Sequence, residues 1–350
     1  MSDPSTIHVN LPRPAAPKPR QEKNIAPSLK RQVKQALLMA ALAVSGSAAM
    51  AADWTPTKPV RIIIGFAPGG SNDLIARMIA PKLSDALGQQ VVVENRPGAA
   101  GAIAINAVLS APRDGYTYSM CTTGSLTIQP HLGKMAFNPD DLVPVTLIAN
   151  APSVLQVNSA VPVKTVQELI AYAKANPGKI NYASSGNATG GHLAGEMLKV
   201  LTGAQIVHVP YKGTAQAVAD LVSGQVQMIF DQPVSTMQYA KSGQLRALGV
   251  AALRRLQAYP DLPTVAEAGV PDFDPVTWTG LCAAKGTPTA AIDRMQQELA
   301  KVLKQPEISN KLQQDGIEPV GNTPAQFRDY IAAEKEKWGR VIKLADIKAE

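Results

Sequence analysis

The segment VRIIIGFAPGGSNDLIARMI, residues 60–79, carries the pattern that decides the fold. Its first five residues, Val60–Ile64, are an apolar, mostly β-branched run typical of a buried strand, and Gly65–Gly70 is a glycine- and proline-rich turn. Ser71 is a favourable N-cap, and apolar residues then recur at the spacing of an amphipathic helix. The segment therefore predicts a strand, a tight loop and a helix in succession.

The same alternation of strand and helix continues along the chain. Further strands are predicted at 90–94, 116–121, 180–183, 206–209, 226–230 and 245–250, and further helices at 99–109, 166–175, 191–201, 215–222, 290–303 and 324–344. Strands that alternate with helices favour α/β architecture, with parallel sheets joined by right-handed crossovers. A chain of 350 residues is long enough for about two domains.

Composition and charge exclude several classes of protein. Apolar residues make up 45% and charged residues 17%, which indicates a packed core and not a disordered chain. Aromatic residues are only 5%, which argues against stacking platforms for single-stranded nucleic acid. The net charge of +7 is concentrated in residues 1–51, which hold seven Lys or Arg and two acidic residues. Because the remainder is nearly neutral, no nucleic-acid partner is expected.

Residues 1–51 are expected to form a leader that ends in a secretory signal peptide. The basic residues within 30–34 precede the apolar run Ala36–Val44 and the small-residue motif Ala49-Met50-Ala51. That order is typical of a signal peptide cleaved after Ala51, which predicts a secreted protein. The alternative is a membrane anchor, but the apolar run is shorter than the ~18 residues that a spanning helix needs.

Two cysteines, Cys121 and Cys282, are the candidates for a disulfide. An oxidising compartment permits the bond. Both residues nevertheless lie in apolar, strand-like runs, and free cysteine is among the most buried residue types. The sequence therefore favours two small buried side chains over a bridge and leaves the bridge open. Without a histidine at ligand spacing, the pair does not predict a zinc site.

Catalytic motifs are missing from the sequence. There is no His-Glu-x-x-His, no Gly-x-Ser-x-Gly and no phosphate-binding glycine loop. Ser185, His192 and Asp231 could be combined into a triad, since triads are recognised by geometry and not by order. Any chain of this size contains such trios, so a hydrolase is the less favoured interpretation. His208, within an apolar strand, is interpreted as a core histidine. We expect no catalytic residue, no metal and no cofactor.

Two glycine-rich loops, Gly65–Ser71 and Ala183–Gly191, each link a predicted strand to a predicted helix. Ligands of open α/β sheets bind at the carboxyl ends of strands, where helix starts carry unpaired N–H groups and a partial positive charge. Neither loop contains Lys or Arg. A carboxylate bound there would be held by backbone amides, hydroxyls and water. The alternative for Pro68-Gly69-Gly70 is a tight turn without a ligand.

A series of motifs resembles the Bug (TctC-like) extracytoplasmic solute receptors of tripartite tricarboxylate transporters. The motifs are FAPGGSND at 66–73, VVVENRPGA at 91–99, DGYT at 114–117, NYASSGN at 181–187, HLAGE at 192–196, HVPYKG at 208–213 and PTVAEAG at 263–269. They are collinear, and the resemblance extends over residues 54–346. The resemblance is therefore specific, and it covers nearly all of the chain after the leader.

The resemblance implies a two-lobed periplasmic-binding-protein architecture, the Venus flytrap, with two interlobe crossovers. The crossings are expected near Ala149–Ser153 and Asp272–Thr277. One lobe then comprises residues 54–151 plus 275–350, and the other comprises residues 152–274. The two glycine-rich loops fall on opposite lobes, so both helix starts would face one ligand.

The resemblance also implies a set of ligand-binding residues, drawn from both loops and from two strand ends. Asp231, at a strand end, would accept a hydrogen bond from an amine or hydroxyl of the ligand, and the alternative is an Asp that caps a helix. The full set comprises Phe66, Ala67, Pro68, Gly69, Gly70, Ser71, Thr122, Thr123, Gly124, Ser184, Ser185, Gly186, Asn187, His192 and Asp231.

The function implied is that of a monomeric solute-binding protein. It would bind a small organic carboxylate or an acidic amino-acid-like ligand between its lobes, close around it and deliver it to a membrane permease. One alternative is a sensor of the same fold that presents its ligand to a signalling protein. The other is the Ser/His hydrolase.

Overall fold

The computed structural model describes residues 54–66, 68–98, 101–133, 135–211 and 213–347. The predicted leader, residues 1–51, lies outside the described residues, so the signal peptide stays a prediction. None of the helices within the described ranges has the length and apolar character that crossing a bilayer requires.

The described chain folds into two β-sheets flanked by helices, which confirms the α/β class. The strands are β1 Val60–Ile64, β2 Val91–Asn95, β3 Thr117–Thr122, β4 Leu142–Ala151, β5 Ser153–Asn158, β6 Ile180–Ser184, β7 Ile206–Pro210, β8 Met228–Asp231, β9 Leu245–Ala251, β10 Thr277–Ala284 and β11 Glu318–Pro319. The helices are α1 Ser71–Leu87, α2 Ala102–Leu109, α3 Gln129–Leu132, α4 Val166–Ala175, α5 Gly190–Thr202, α6 Thr214–Ser223, α7 Pro233–Lys241, α8 Thr289–Leu303, α9 Pro306–Gln314 and α10 Pro324–Leu344. A π-helical turn, Gly124–Ile128, precedes α3.

The first sheet has the strand order β11-β4-β10-β3-β1-β2, and the second has the order β7-β6-β8-β5-β9. The chain leaves the first sheet where β4 ends at Ala151 and enters the second where β5 begins at Ser153. It returns between the end of β9 at Ala251 and the start of β10 at Thr277. The sequence pattern assigned no element to the stretch that forms β4 and β5.

Both sheets are mixed, whereas the alternation of strands and helices predicted parallel sheets. Strands β1, β2 and β3 pair in parallel, as do β6, β7 and β8. By contrast, β10 is antiparallel to β3 and β4, and β5 is antiparallel to β8 and β9. Strands β5 and β10 are the ones that enter a sheet from the other sheet. Each starts at the edge where its neighbours end, so it must run in the opposite direction.

Each sheet buries its own hydrophobic core. Helix α1 turns Ile75, Ile79 and Leu83 onto the first sheet beside α8, as the period of its apolar residues predicted. Helix α5 packs on the second sheet, where the Tyr182 ring lies so close to the helix that a Cβ at Gly195 would overlap it. Burial of each large aliphatic side chain contributes about 1.5–3 kcal/mol.

The last helix, α10, contacts the cores of both sheets. It begins with a capping box between Thr323 and Gln326, which satisfies N–H groups at its start. Near this end, Phe327 packs edge-on against Trp278 of β10. Near the other end, Trp338 is fully buried within the hydrophobic cluster of the second sheet. The helix therefore links the two sheets in addition to the two strand crossings.

Cys121 of β3 and Cys282 of β10 form a disulfide, so the favoured expectation of two separate thiols was wrong. The two strands are antiparallel neighbours, and their pairing brings the Cα atoms to 6.2 Å although the residues are 161 apart in the chain. Both side chains are fully buried, as expected. The pairing was not visible in the sequence because β10 reaches β3 only after the chain has built the whole second sheet.

The disulfide should stabilise the oxidised protein. We expect a Cys121→Ala/Cys282→Ala variant to lose about 2–4 kcal/mol of unfolding free energy, because the bond closes a long loop in the unfolded chain. Urea unfolding with and without dithiothreitol measures the loss, and the double variant serves as the control that should not respond to the reductant. Two free thiols in denatured, unreduced wild-type protein would contradict the bond.

Candidate binding cleft between the two sheets

A cleft of about 460 Å³ lies where strands and helices of the two sheets meet. The first loop contributes Phe66, Gly70 and Ser71 to its wall, and the second loop contributes Asn187. Residues 122–124, at the end of β3, line it as well. Residues from both predicted loops and from the end of β3 therefore face one space.

A second cavity, of about 220 Å³, adjoins this cleft and shares Ser71, Gly190 and Gln232 with it. We call it the side cavity. Ser185 and Asp231 line the side cavity and not the main cleft. The remaining residues of the sequence-based set, Pro68, Gly69, Ser184, Gly186 and His192, line neither space, and Ala67 lies outside the described residues.

Helix starts converge on the cleft from both sheets. Helix α1 begins at Ser71 and α5 begins at Gly190, and their N-caps, Gly70 and Thr189, make no side-chain capping hydrogen bond. The first-turn N–H groups and the positive ends of two helix dipoles therefore point to this region. Among the described residues that line the cleft and the side cavity, none is Lys, Arg or His. An anion here would be bound through backbone amides and neutral side chains.

Asp73, in the first turn of α1, holds the first loop in place, and it is only 3% exposed. Its carboxylate accepts hydrogen bonds from the Gly69 N–H at 2.9 Å, from Asn95 Nδ2 at 2.9 Å and from Arg77 Nε at 3.0 Å. Gly69 has φ +86°, a left-handed conformation that favours glycine. The bond from Arg77 is the main reason that the pKa of Asp73 falls to about 2. Pro68 and Gly69 thus belong to the framework of the loop and present its next residues to the cleft.

The second loop is fixed by two stacked histidines. His192 Nδ1 accepts from the Ala188 N–H at 3.0 Å, and its ring lies 4.0 Å from that of His208, centre to centre. His208 Nε2 lies 2.6 Å from Ser184 Oγ, and Ser184 Oγ also donates to the Gly186 carbonyl. Burial, together with the neighbouring His192, lowers the pKa of His208 to about 4. Ser184, Gly186 and His192 therefore shape the loop, and His208 is a half-buried, bonded histidine.

Asp231 ends β8 beside the side cavity. Its Oδ1 accepts from the Gln232 N–H at 2.9 Å, while Oδ2 is buried without a hydrogen-bond partner among the described residues. Burial raises the pKa of Asp231 to about 6, against smaller lowerings by the hydrogen bond from the Gln232 N–H and by the Thr214 hydroxyl. The N-cap of α7 is Gln232, which makes no side-chain capping bond. Asp231 is thus a carboxyl group beside a cavity, bonded to the backbone through Oδ1 and close to the Thr214 hydroxyl.

Polar residues that sequence reasoning did not assign to the site also face the cleft. Ser71 Oγ donates to Gln232 Oε1 at 2.9 Å, which links the first loop to the start of α7 on the other sheet. Thr279 Oγ1 donates to Asn72 Oδ1, which joins β10 to the start of α1. Asn72 follows the first residue of α1, and Gln232 follows the last residue of β8. These positions could have indicated from the sequence that both residues belong to the site. No pattern signalled Thr277 and Thr279, because β10 was not expected at this edge.

The hydroxyls at the end of β3 are already engaged within the protein. Thr122 and Ser125 exchange hydrogen bonds between their backbone N–H groups and side-chain oxygens. Thr123 Oγ1 accepts from the Trp278 N–H at 2.7 Å and so ties β3 to β10. Thr122 and Thr123 therefore shape the wall of the cleft. Within the described ranges, no cluster of three or more His, Cys, Asp or Glu side chains has the arrangement of a metal site.

Replacing Asp73 by Asn should loosen the first loop. We expect a loss of about 2 kcal/mol of unfolding free energy, because charge-assisted hydrogen bonds are removed, and a weaker affinity for the ligand. Because the pKa of Asp73 is lowered from 3.8 to about 2, its contribution is present above pH 3.8 and is lost as the pH falls towards 2. Chemical denaturation from pH 7 to 2.5 measures the loss of stability and its pH dependence, and calorimetry at pH 7 measures the affinity. Asp85→Asn, at an exposed position of the same helix, is the control and should change neither.

Comparison with known proteins shows which family the chain resembles. Residues 75–347 match the model of the family described as TctC, the tripartite tricarboxylate transporter family receptor. The chain is 35% identical over 308 residues to Protein BugT of Bordetella pertussis. The aligned part covers 86% of this chain and 94% of BugT.

Solved structures of similar proteins agree with this match. The R. palustris protein Rpa4515 with adipate has 36% sequence identity and a TM-score of 0.75, covering 85% of this chain and 99% of that one. MatC from Rhodopseudomonas palustris with bound malate has 30% identity and a TM-score of 0.70, covering 82% and 99%. The chain therefore belongs to the TctC family of tripartite tricarboxylate transporter receptors, the family that its motifs resemble.

Proposed function

We propose that this protein is an extracytoplasmic receptor that binds a small carboxylate in the cleft between its two sheets. The observation that carries the proposal is the convergence of uncapped helix starts from both sheets on a cleft whose described lining has no cation. Such a site attracts one negative group and binds it through backbone N–H donors. At about 460 Å³ the cleft has the size of a site for a small organic acid.

The ligand-binding residues that we propose fall into two groups. Residues 66, 70, 71, 122–124 and 187 would contact the ligand directly, because they line the cleft. Residues 68, 69, 184, 186 and 192 would hold the two loops in place. The bound adipate and malate of the R. palustris relatives support a carboxylate as the ligand class.

The proposed mechanism is closure of two lobes about the strand crossings. The lobes would be residues 54–151 plus 275–350 and residues 152–274, with hinges near Ala149–Ser153 and Asp272–Thr277. The single residue between β4 and β5 supports the first hinge. The Ser71–Gln232 hydrogen bond would form on closure, so a ligand that prefers the closed state shifts the population towards it.

The protein would act as a monomer without catalysis, in the periplasm, and would hand its ligand to a membrane permease. The leader pattern and the family support this setting. Against a hydrolase, His192 Nδ1 is occupied by the Ala188 N–H, and the serine at His208 is Ser184 and not Ser185. Stoichiometric binding without turnover would agree with a receptor, whereas turnover lost in Ser185→Ala would require an enzyme.

Gly70→Val tests the first loop directly. Gly70 has φ −76° and ψ 166°, a conformation that valine adopts, so the fold should be retained. We expect the added side chain to keep the ligand from the backbone N–H groups and to weaken affinity at least a hundredfold. Calorimetry against a panel of mono-, di- and tricarboxylates and acidic amino acids gives the measurement, with Gly70→Ala as the smaller step. Unchanged affinity in the valine variant would mean that the loop is only a turn.

Gln232→Ala tests closure. Loss of the bond from Ser71 should remove about 1 kcal/mol from the closed state, which corresponds to about a fivefold weaker affinity. The same ligand is titrated into Gln232→Ala and into Gln238→Ala, which is at an exposed position of the same helix. The comparison separates the effect of losing the Ser71–Gln232 hydrogen bond from any general effect of an alanine in this helix. An equal affinity in the two variants would show that the bond does not contribute to closure.

A further inference from the structure

The last helix, α10, is anchored in the cores of both sheets, which constrains how the sheets can move. Phe327, near its start, packs edge-on against Trp278 of the first sheet, and Ile331 packs on the same cluster. Trp338 and Ile342, near its end, belong to the buried cluster of the second sheet. Exposing large apolar side chains to water is costly, so each end of α10 stays with its own core when the sheets move.

Between these two anchors, the buried face of α10 is polar. Glu334 is 5% exposed, and its carboxylate accepts a hydrogen bond from Trp338 Nε1 at 3.1 Å and pairs with Lys337. Lys337 Nζ also donates to the Asp274 carbonyl at 2.8 Å and lies 3.5 Å from Asp274 Oδ2. Asp274 belongs to the segment through which the chain returns from β9 to β10. The ion pair of α10 therefore holds one of the two strand crossings.

The backbone of α10 is weakened in the same turn. His131 of α3 reaches the helix, and its Nε2 lies 2.8 Å from the Lys335 carbonyl. In a helix that carbonyl is the acceptor for the N–H of residue 339, so two donors compete for it. Residue 339 is glycine, and a Cβ there would lie 2.7 Å from the His131 ring. Helices bend where a side chain enters the i→i−4 ladder, so this turn is where α10 can bend.

We propose that the turn Glu334–Lys337 is a third hinge between the lobes. The part of α10 before Glu334 turns with the first lobe, and residues 338–347 turn with the second lobe, although they follow first-lobe strands in the chain. The contact of Lys337 with Asp274 couples the bend of the helix to the return crossing and limits how far the cleft opens. Lys337 is thus a positioning residue for closure. This inference rests on the closure mechanism of the proposed function.

Distances between pairs of spin labels test the third hinge. The labels are placed at Asp293→Cys in α8, Lys174→Cys in α4 and Lys343→Cys near the end of α10, all at exposed positions. The native cysteines are bonded to each other, so they do not take up label. In the ligand-free protein we expect the 174–293 and 293–343 distances to shift by several ångströms from those in the structure, because the lobes open. The 174–343 distance should match the structure.

The three distances also separate failure of the hinge from failure of closure. A 174–343 distance that shifts as much as the 174–293 distance overturns the third hinge, because the end of α10 then does not travel with the second lobe. That result leaves closure intact. If all three distances match the structure, the ligand-free lobes do not open, and the closure mechanism fails together with the hinge.

Lys337→Met tests the grip on the return crossing. We expect the 174–293 distance distribution of the ligand-free protein to widen about twofold, because the crossing is released from α10. Lys337→Arg keeps the charge and should keep the wild-type width. Lys335→Met, with an exposed side chain in the same turn, is the matched control and should change nothing.

Thermal unfolding of each variant shows whether it is folded. Removing Lys337 alone leaves Glu334 buried without its ion-pair partner, which destabilises the fold. Glu334→Gln/Lys337→Met removes both charges and serves in its place if the single variant does not fold. A wild-type width in the folded single or double variant would overturn the positioning role of Lys337.

Discussion

The structure depends on one arrangement: the unpaired N–H groups of helix starts on two sheets face the same space. Helices α1 and α5 both begin directly after a strand of their own sheet has ended, so their positive ends share an edge with the carboxyl ends of the strands. The strand crossings at Ala151–Ser153 and after Ala251 bring these two edges together. An anion between them would be attracted from both sides, and in the proposed mechanism this attraction couples binding to the approach of the sheets.

The two loops that present these N–H groups are rigid for different reasons. The first is anchored by the ionised Asp73, whose lowered pKa reports its bonds to Arg77, Gly69 and Asn95. The second is anchored by the stacked rings of His192 and His208, and the lowered pKa of His208 keeps that ring uncharged at neutral pH. Neither anchor places a charge in the cleft itself, so the charge that a ligand meets there comes from the helix starts, and Asp231 lies in the side cavity.

Much of the site could be predicted because loop and helix start are adjacent in sequence. Glycine-rich segments after Ile64 and Ala183 marked both loops, and their lack of Lys and Arg indicated binding by the backbone. Which residues of each loop face the ligand could not be read in the same way. Ser184 and His192 fit a binding role in sequence, yet their side chains are used to fold the loop. Side-chain direction depends on packing partners such as His208, which lies on another strand.

The sequence by itself determined the α/β class, most helices and strands, and the two loops, because each is encoded by local periodicity and turn residues. Tertiary structure alone decided the antiparallel entry of β5 and β10, the bond between Cys121 and Cys282, the contact of Ser71 with Gln232, and the cavity beside Asp231. Each of these joins residues that are far apart in the chain. Their meeting depends on the order in which strands are added to a sheet, and no local pattern records that order.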